Sequence, residues 1–293
     1  MLIKPHIFKA HFMLLRPYQW VKSGFVLAPL FFSFSFFDQA QVEMAILATL
    51  CFTFLASGCY VLNDINDAQE DRCHPLKRHR PVANGDVSIA SASMLALLVF
   101  FIAGFLLLFL PLECTFIILG YLGLQVLYNC YLRLYPIIDV LVVASGFVMR
   151  LIMGGFAISV LVSPWIILTT YLLALFLGFG KRYNEMRLQG KNIKRASLHE
   201  CNIKLIEKLI TVSCGAALMS YALYTVEVSQ KTGAIGLVYT VFFVIYGLFS
   251  YLRLIYVEQE GGEPEKALFK NKAFLMNGVC WILVTLWLLQ PES

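Results

Sequence analysis

The sequence predicts an all-α, polytopic membrane protein with about nine transmembrane helices in one bundle, and three observations predict it. The 293 residues are 59% hydrophobic and 14% charged, whereas a soluble domain carries about a quarter charged residues. The apolar residues form long unbroken runs near the roughly 20-residue length that carries a helix across a bilayer; a transmembrane barrel would show short alternating strands instead. The charged residues are confined to a few loops between those runs.

The spans are read at 22–37, 42–62, 91–110, 114–132, 136–157, 163–180, 207–227, 234–256 and 272–290, with the fourth and last the weakest. The loops 63–90, 181–206 and 257–271 are long and charged, and the other connections are tight turns. The chain reads as one helical domain over 1–293. Eight cysteines without a CxxC pair give no zinc or disulfide framework. All Lys and Arg except Lys231 and Arg150 fall on one side of this topology. The positive-inside rule makes that side cytoplasmic. The expectation is a multi-pass protein of the cell (inner) membrane, N-terminus inside and C-terminus outside, with its chemistry at the cytoplasmic mouth.

Span two runs without a break into Asn63-Asp64-Ile65-Asn66-Asp67-Ala68-Gln69-Glu70-Asp71-Arg72. On a continuous helix, Asn63, Asp67, Asp71 and Asp64 lie at about 0°, 40°, 80° and 100° around the axis, on one face. Clustered carboxylates raise one another's pKa, and a divalent cation removes that cost. Hard oxygen donors suit Mg²⁺, which keeps several waters and bridges to phosphates. The bland alternative is a solvated helix end. Next come His74, Lys77, Arg78 and Arg80, bounded by Pro75 and Pro81, which stop the helix. These cations suit phosphate oxygens, or else a lipid-headgroup anchor.

A second cluster, Lys181, Arg182 and Glu185, follows span six, again on one helical face. Two cations and a carboxylate suit an anionic ligand better than a second bare metal site. The stretch Arg187–Lys208 is basic and amphipathic and is expected on the leaflet surface. Arg150 lies about 16 Å along a helix from Asp139, which shares its face. An unpaired charge there is costly, so Arg150 should face the interior and pair, or hold a lipid phosphate. Gly154 and Gly155 would permit close helix packing. Arg16-Pro17-Tyr18-Gln19-Trp20-Val21-Lys22 reads as an interfacial anchor from which Lys22 can reach a phosphate. Tyr128, Tyr131, Arg133 and Tyr135 form a further interfacial group.

The run Asn63–Asp71 fits NDxxDxxxD and resembles the first signature of the UbiA superfamily of membrane prenyltransferases, as do nine spans with cytoplasmic loops. The resemblance implies pyrophosphate binding through Mg²⁺ on two Asp-rich motifs. The second motif departs: Lys181-Arg182-Tyr183-Asn184-Glu185 stands where the family has DxxxD, and Tyr128 and Arg133 stand near its YxxxK. Those departures resemble one branch, the decaprenyl-phosphate phosphoribosyltransferases, as do RPYQWVK (Arg16–Lys22), NDxxDxxxDRxHPxK (Asn63–Lys77), Arg80-Pro81, GKRYNE (Gly180–Glu185) and GEPE (Gly262–Glu265). The resemblance spans nearly the whole chain.

What this resemblance implies is transfer of 5-phosphoribose from phosphoribosyl diphosphate to a polyprenyl phosphate. Asn63, Asp64, Asp67 and Asp71 would hold Mg²⁺. Lys77, Arg80, Lys181 and Arg182 would bind phosphates of donor and acceptor, and Glu185 would orient Lys181 or a ribose hydroxyl; Lys22, Arg72, His74, Arg133 and Arg150 are further candidate substrate-binding residues. The tail of the acceptor would lie in a lateral groove lined by Phe and Leu. Membrane lipids are expected partners and nucleic acid is not; the sequence does not set an oligomeric state. The alternatives are an aromatic prenyltransferase of the same superfamily, an ion-coupled transporter, which would want carboxylates at the bilayer midplane, and a non-catalytic scaffold.

Overall fold

A computed structural model describes residues 5–73, 77–135, 137–189, 202–258 and 271–289. The described elements are helical: α1 (Pro5–Leu14), α2 (Ala28–Phe32), α3 (Gln39–Asn66), α4 (Ala68–Arg72), α5 (Ile89–Leu107), α6 (Leu112–Cys130), α7 (Ile138–Ala157), α8 (Pro164–Gln189), α9 (Ile203–Thr232), α10 (Val241–Arg253) and α11 (Lys272–Leu289). Among the described residues, eight helical segments are long and apolar enough to cross a membrane, the seventh being the continuous stretch Ile235–Glu258 that contains α10. Their outer faces carry large apolar side chains such as Phe101, Leu108, Phe116 and Trp287, all well exposed. Such a surface has lipid as its solvent.

Local signals start and stop the helices. Asp38 caps α3 by accepting from the backbone N–H of Ala40 (2.9 Å) and Gln41 (3.3 Å). Ser88 caps α5 through the N–H of Ser91, and Asn202 caps α9 through that of Lys204. Gly233, at φ 77°, ends α9 in the left-handed conformation.

The expected span 22–37 is present as an apolar segment but not as one α-helix. It runs as a 3₁₀ helix over Pro17–Leu27, the short α2, and a 3₁₀ turn over Ser35–Phe37. Pro29 is the reason: it has no N–H to give to Phe25 and its ring opposes that carbonyl, so the N–H of Ala28 bonds the Phe25 carbonyl instead. This segment is not among the eight long apolar helical segments of the described residues.

α7 is the seam of the bundle. On one side it joins a core of Phe52, Leu55, Cys114, Ile118, Tyr121 and Met153 from α3, α6 and itself. On the other it joins Phe176, Phe179, Ile210, Leu248 and Ile255 from α8, α9 and the segment ending at Glu258. The glycine expectation holds: a Cβ on Gly154 would sit 2.0 Å from the Val26 carbonyl oxygen, so only glycine lets the 3₁₀ segment lie this close. Both clusters of polar residues lie where α3 ends, α7 begins and α8 ends.

Candidate active site

α3 carries Asn63 and Asp64 past its apolar stretch and ends at Asn66; Asp67 is the joint, at φ −87° and ψ 1°, before α4 places Asp71. The hydrogen bonds Asp67 N–H to Asn63 carbonyl (2.9 Å) and Asp71 N–H to Asp67 carbonyl (2.8 Å) hold the joint. The four side chains therefore do not share one uninterrupted helical face, as the sequence suggested. Asp64 and Asp71 are buried, at 3% and 2% exposure. Both meet one nitrogen: Arg80 Nη1 lies 3.0 Å from Asp64 Oδ1 and 2.7 Å from Asp71 Oδ2. Arg16 also pairs with Asp64, and its guanidinium lies 5.0 Å from the Tyr60 ring centre. Asp67 turns the other way and accepts from Arg133 Nη1 at 2.9 Å. That hydrogen bond raises the Arg133 pKa further above its ordinary value. Asn63 Oδ1 accepts from Asn129 Nδ2 at 2.6 Å.

The second cluster differs from its sequence reading. Arg182 and Glu185 turn inward together, with Arg182 Nη1 2.7 Å from Glu185 Oε2, while Lys181 is exposed. Arg182 is only 7% exposed, and its Nε donates to Asp139 Oδ2 at 3.0 Å. Asp139, expected beside Arg150, thus belongs to Arg182. Side chains on α7 point back toward its N-terminus, so Asp139 in the first turn reaches the end of α8 and not a residue three turns further on. Arg150 instead donates to the Gly146 carbonyl at 2.7 Å, within an aromatic cage.

Tyr128, near the end of α6, lies in electrostatic range of both Arg133 and Arg182, and Asn129 beside it reaches Asn63. α6 therefore links the two clusters. Arg72 Nε donates to the Ala83 carbonyl at 3.1 Å and braces the turn after α4. Lys77 is exposed beside it, and Lys22 is half-buried with Nζ 6.0 Å from the Phe147 ring centre. His74, the GEPE stretch and most of 190–206 and 257–271 lie outside the described residues.

Three participants escaped the sequence reading. Arg16 stood in a motif read as an anchor, Asn129 stood in an apolar run, and Asp139 was assigned the wrong partner. The lone Asn and Asp within apolar stretches were the signals for the last two.

The acidic cluster fits a divalent cation by its donors: three carboxylates and one amide oxygen are hard ligands. Asp64 and Asp71 already converge on a single positive nitrogen, so one compact cation in that place would touch both. Among the described residues no three acidic, His or Cys side chains converge on one point, because each carboxylate is directed to an arginine. An open apolar groove of about 500 Å³ lies between α6, α7 and α8, lined by Leu124, Val148, Met149, Leu168 and Tyr171 among others. No Phe lines it.

Comparison with known proteins agrees with this fold. Residues 23–278 match the model of the UbiA prenyltransferase family. The chain is 32% identical to the decaprenyl-phosphate phosphoribosyltransferase of Corynebacterium glutamicum, over 92% of this chain and 83% of that one. It is 30% identical to the protein of that name from Mycobacterium tuberculosis, over 92% and 90%. The structure of a UbiA homolog from Archaeoglobus fulgidus bound to GPP and Mg²⁺ superposes with a TM-score of 0.73 at 16% identity, covering 95% of this chain and 99% of that one.

Proposed function

The chain belongs to the UbiA prenyltransferase family and is a multi-pass membrane transferase, and from this we infer that it moves 5-phosphoribose from phosphoribosyl diphosphate to a polyprenyl phosphate. The observation that carries this reading is Arg182. Where the aromatic-substrate branch of the superfamily would carry a second acidic motif, this chain buries a guanidinium fixed between Asp139 and Glu185. A buried arginine and an exposed lysine in that place suit a reaction between two phosphate-bearing substrates better than a second metal site would, and the relatives that match this chain over nine-tenths of its length are named decaprenyl-phosphate phosphoribosyltransferase.

Asp64, Asp67, Asp71 and Asn63 would hold Mg²⁺, which when bound would supply positive charge to the diphosphate leaving group. Arg80 bridges Asp64 and Asp71 and Arg16 pairs with Asp64; with Mg²⁺ held by those carboxylates, both guanidinium groups would be available to phosphate oxygens. Lys77, Lys181 and Arg182 meet the remaining phosphate charge, and Arg133 holds Asp67 in position. An oxygen of the acceptor phosphate attacks C1 of the ribose, the C1–O bond to diphosphate breaks, and diphosphate departs with the bonding electrons. The nucleophile is already anionic, so no strong general base is required; Glu185 fixes Arg182. The isoprenoid tail lies against the bundle in a lateral groove, for which the α6–α7–α8 groove has the apolar lining. By the positive-inside rule the basic loops support a mouth on the cytoplasmic side of the inner membrane, with the C-terminus outside.

The experiment supplies Mg²⁺, a polyprenyl phosphate and radiolabelled phosphoribosyl diphosphate to the purified protein in detergent, with EDTA as control. Mg²⁺-dependent label in the organic phase is the expected result. No such label, with prenylation of an aromatic acid from a prenyl diphosphate, would move the chain to the aromatic branch.

A further inference from the structure

Arg150 is 4% exposed in the middle of α7. Its Nη1 donates to the Gly146 carbonyl at 2.7 Å, its Nη2 lies 3.4 Å from the Tyr121 hydroxyl, and its Nε has no acceptor. Among the described residues no carboxylate pairs with it. The guanidinium carbon lies 4.6, 5.4 and 5.6 Å from the ring centres of Phe52, Tyr121 and Phe147. A Cβ on Gly146 would lie 3.4 Å from Nη1, in ordinary van der Waals contact with it. The Phe147 ring also carries Lys22 Nζ at 6.0 Å.

Ring faces attract a cation but do not neutralise it. A buried charge without a counter-charge is costly inside a bilayer, and intramembrane arginines usually face a pathway or a ligand. In this bundle two cations of different helical segments flank one aromatic side chain and no fixed anion accompanies Arg150. The fork of a guanidinium matches the oxygens of a phosphate, and Nε belongs to that fork.

We propose that Arg150, with Lys22, forms a second anion subsite below the acidic cluster, and that it takes the phosphomonoester of a substrate. The guanidinium lies at the level of Gly146, two helical turns or about 10 Å from Asp139. Asp139 stands at the second cluster, held by Arg182, so a phosphate at Arg150 would lie about two turns below that cluster, where the 5-phosphate of a pentose would reach when its diphosphate end sits at the mouth. The same chemistry is carried by the acceptor lipid, whose phosphate would approach from within the membrane. This deepens the proposed function and rests on it for the names of both substrates.

The test measures equilibrium binding of ribose 5-phosphate and of a short-chain polyprenyl phosphate to the detergent-purified protein, with no turnover involved. Wild type, Arg150→Met, Arg150→Lys and Lys22→Met are compared. The expected result is binding of one probe weakened about 10- to 100-fold in Arg150→Met, the range for hydrogen bonds to a charged group, with partial recovery in Arg150→Lys. Selective loss of ribose 5-phosphate assigns the donor's 5-phosphate, and selective loss of the lipid assigns the acceptor. Lys22→Met keeps the aromatic cage intact, so it decides the matter if Arg150→Met does not fold. A wild type that binds neither probe, or variants that bind both as wild type does, overturns the subsite. If Arg150-dependent binding stands while labelled transfer fails, phosphoribosyl transfer falls and the subsite remains.

Discussion

Arg182 Nε donates to Asp139 Oδ2 across 3.0 Å, tying the end of α8 to the first turn of α7. Both side chains are buried, and removing Asp139 leaves Arg182 with Glu185 and without its link to α7. Asp139→Ala is expected to cost about 1.5–3 kcal/mol, the range for a hydrogen bond to a charged group, seen as a lower thermal midpoint in detergent. The double variant Asp139→Ala with Arg182→Met should recover part of that loss. A single variant melting with the wild type would show that this pair does not join the two helices.

Asp67 is the cleanest probe of the acidic cluster because it is half-buried and its carboxylate meets an exposed-side partner, Arg133. Asp67→Ala should retain its helical circular dichroism and lose about 10²- to 10³-fold in turnover, the scale of removing one group that stabilises developing charge. Chelation of divalent cations should do the same to the wild type and be reversed by Mg²⁺. Normal turnover in folded Asp67→Ala would remove this residue from the site.

Gly154→Ala places a methyl 2.0 Å from the Val26 carbonyl oxygen. Overpacking of this kind costs about 1–3 kcal/mol, and the clash is with backbone, so the thermal midpoint should fall. Gly104→Ala, with nothing within 4 Å, is the matched control and should melt as wild type or above.

Much of this was legible in the sequence, and the parts that were not share a cause. The spans follow from composition because lipid demands apolar length, and the NDxxDxxxD run marks its own chemistry. The partners of those residues were not legible. Arg16 to Asp64, Asn129 to Asn63 and Arg182 to Asp139 join residues on different helices, and helical periodicity places neighbours only within one element. The break in the first span was legible in principle, since Pro29 stands inside it.

Arg16 holds a left-handed backbone, φ 51° and ψ 61°, immediately before Pro17. A non-glycine residue there is strained by about 1–2 kcal/mol, and its pairing with Asp64 holds it in place. Arg16→Gly should therefore be more stable than Arg16→Ala by about 1 kcal/mol, while both lose activity. Equal melting of the two would show that this conformation is not retained.

The measurement that bears most directly on the reaction is a competition in one tube. The purified protein, with Mg²⁺, is offered phosphoribosyl diphosphate, a prenyl diphosphate, a polyprenyl phosphate and an aromatic acid together, and the lipid extract is read by mass spectrometry. Phosphoribosyl transfer predicts a polyprenyl phosphate heavier by one phosphoribosyl group and no prenylated ring. A prenylated aromatic acid with the polyprenyl phosphate unchanged would contradict it.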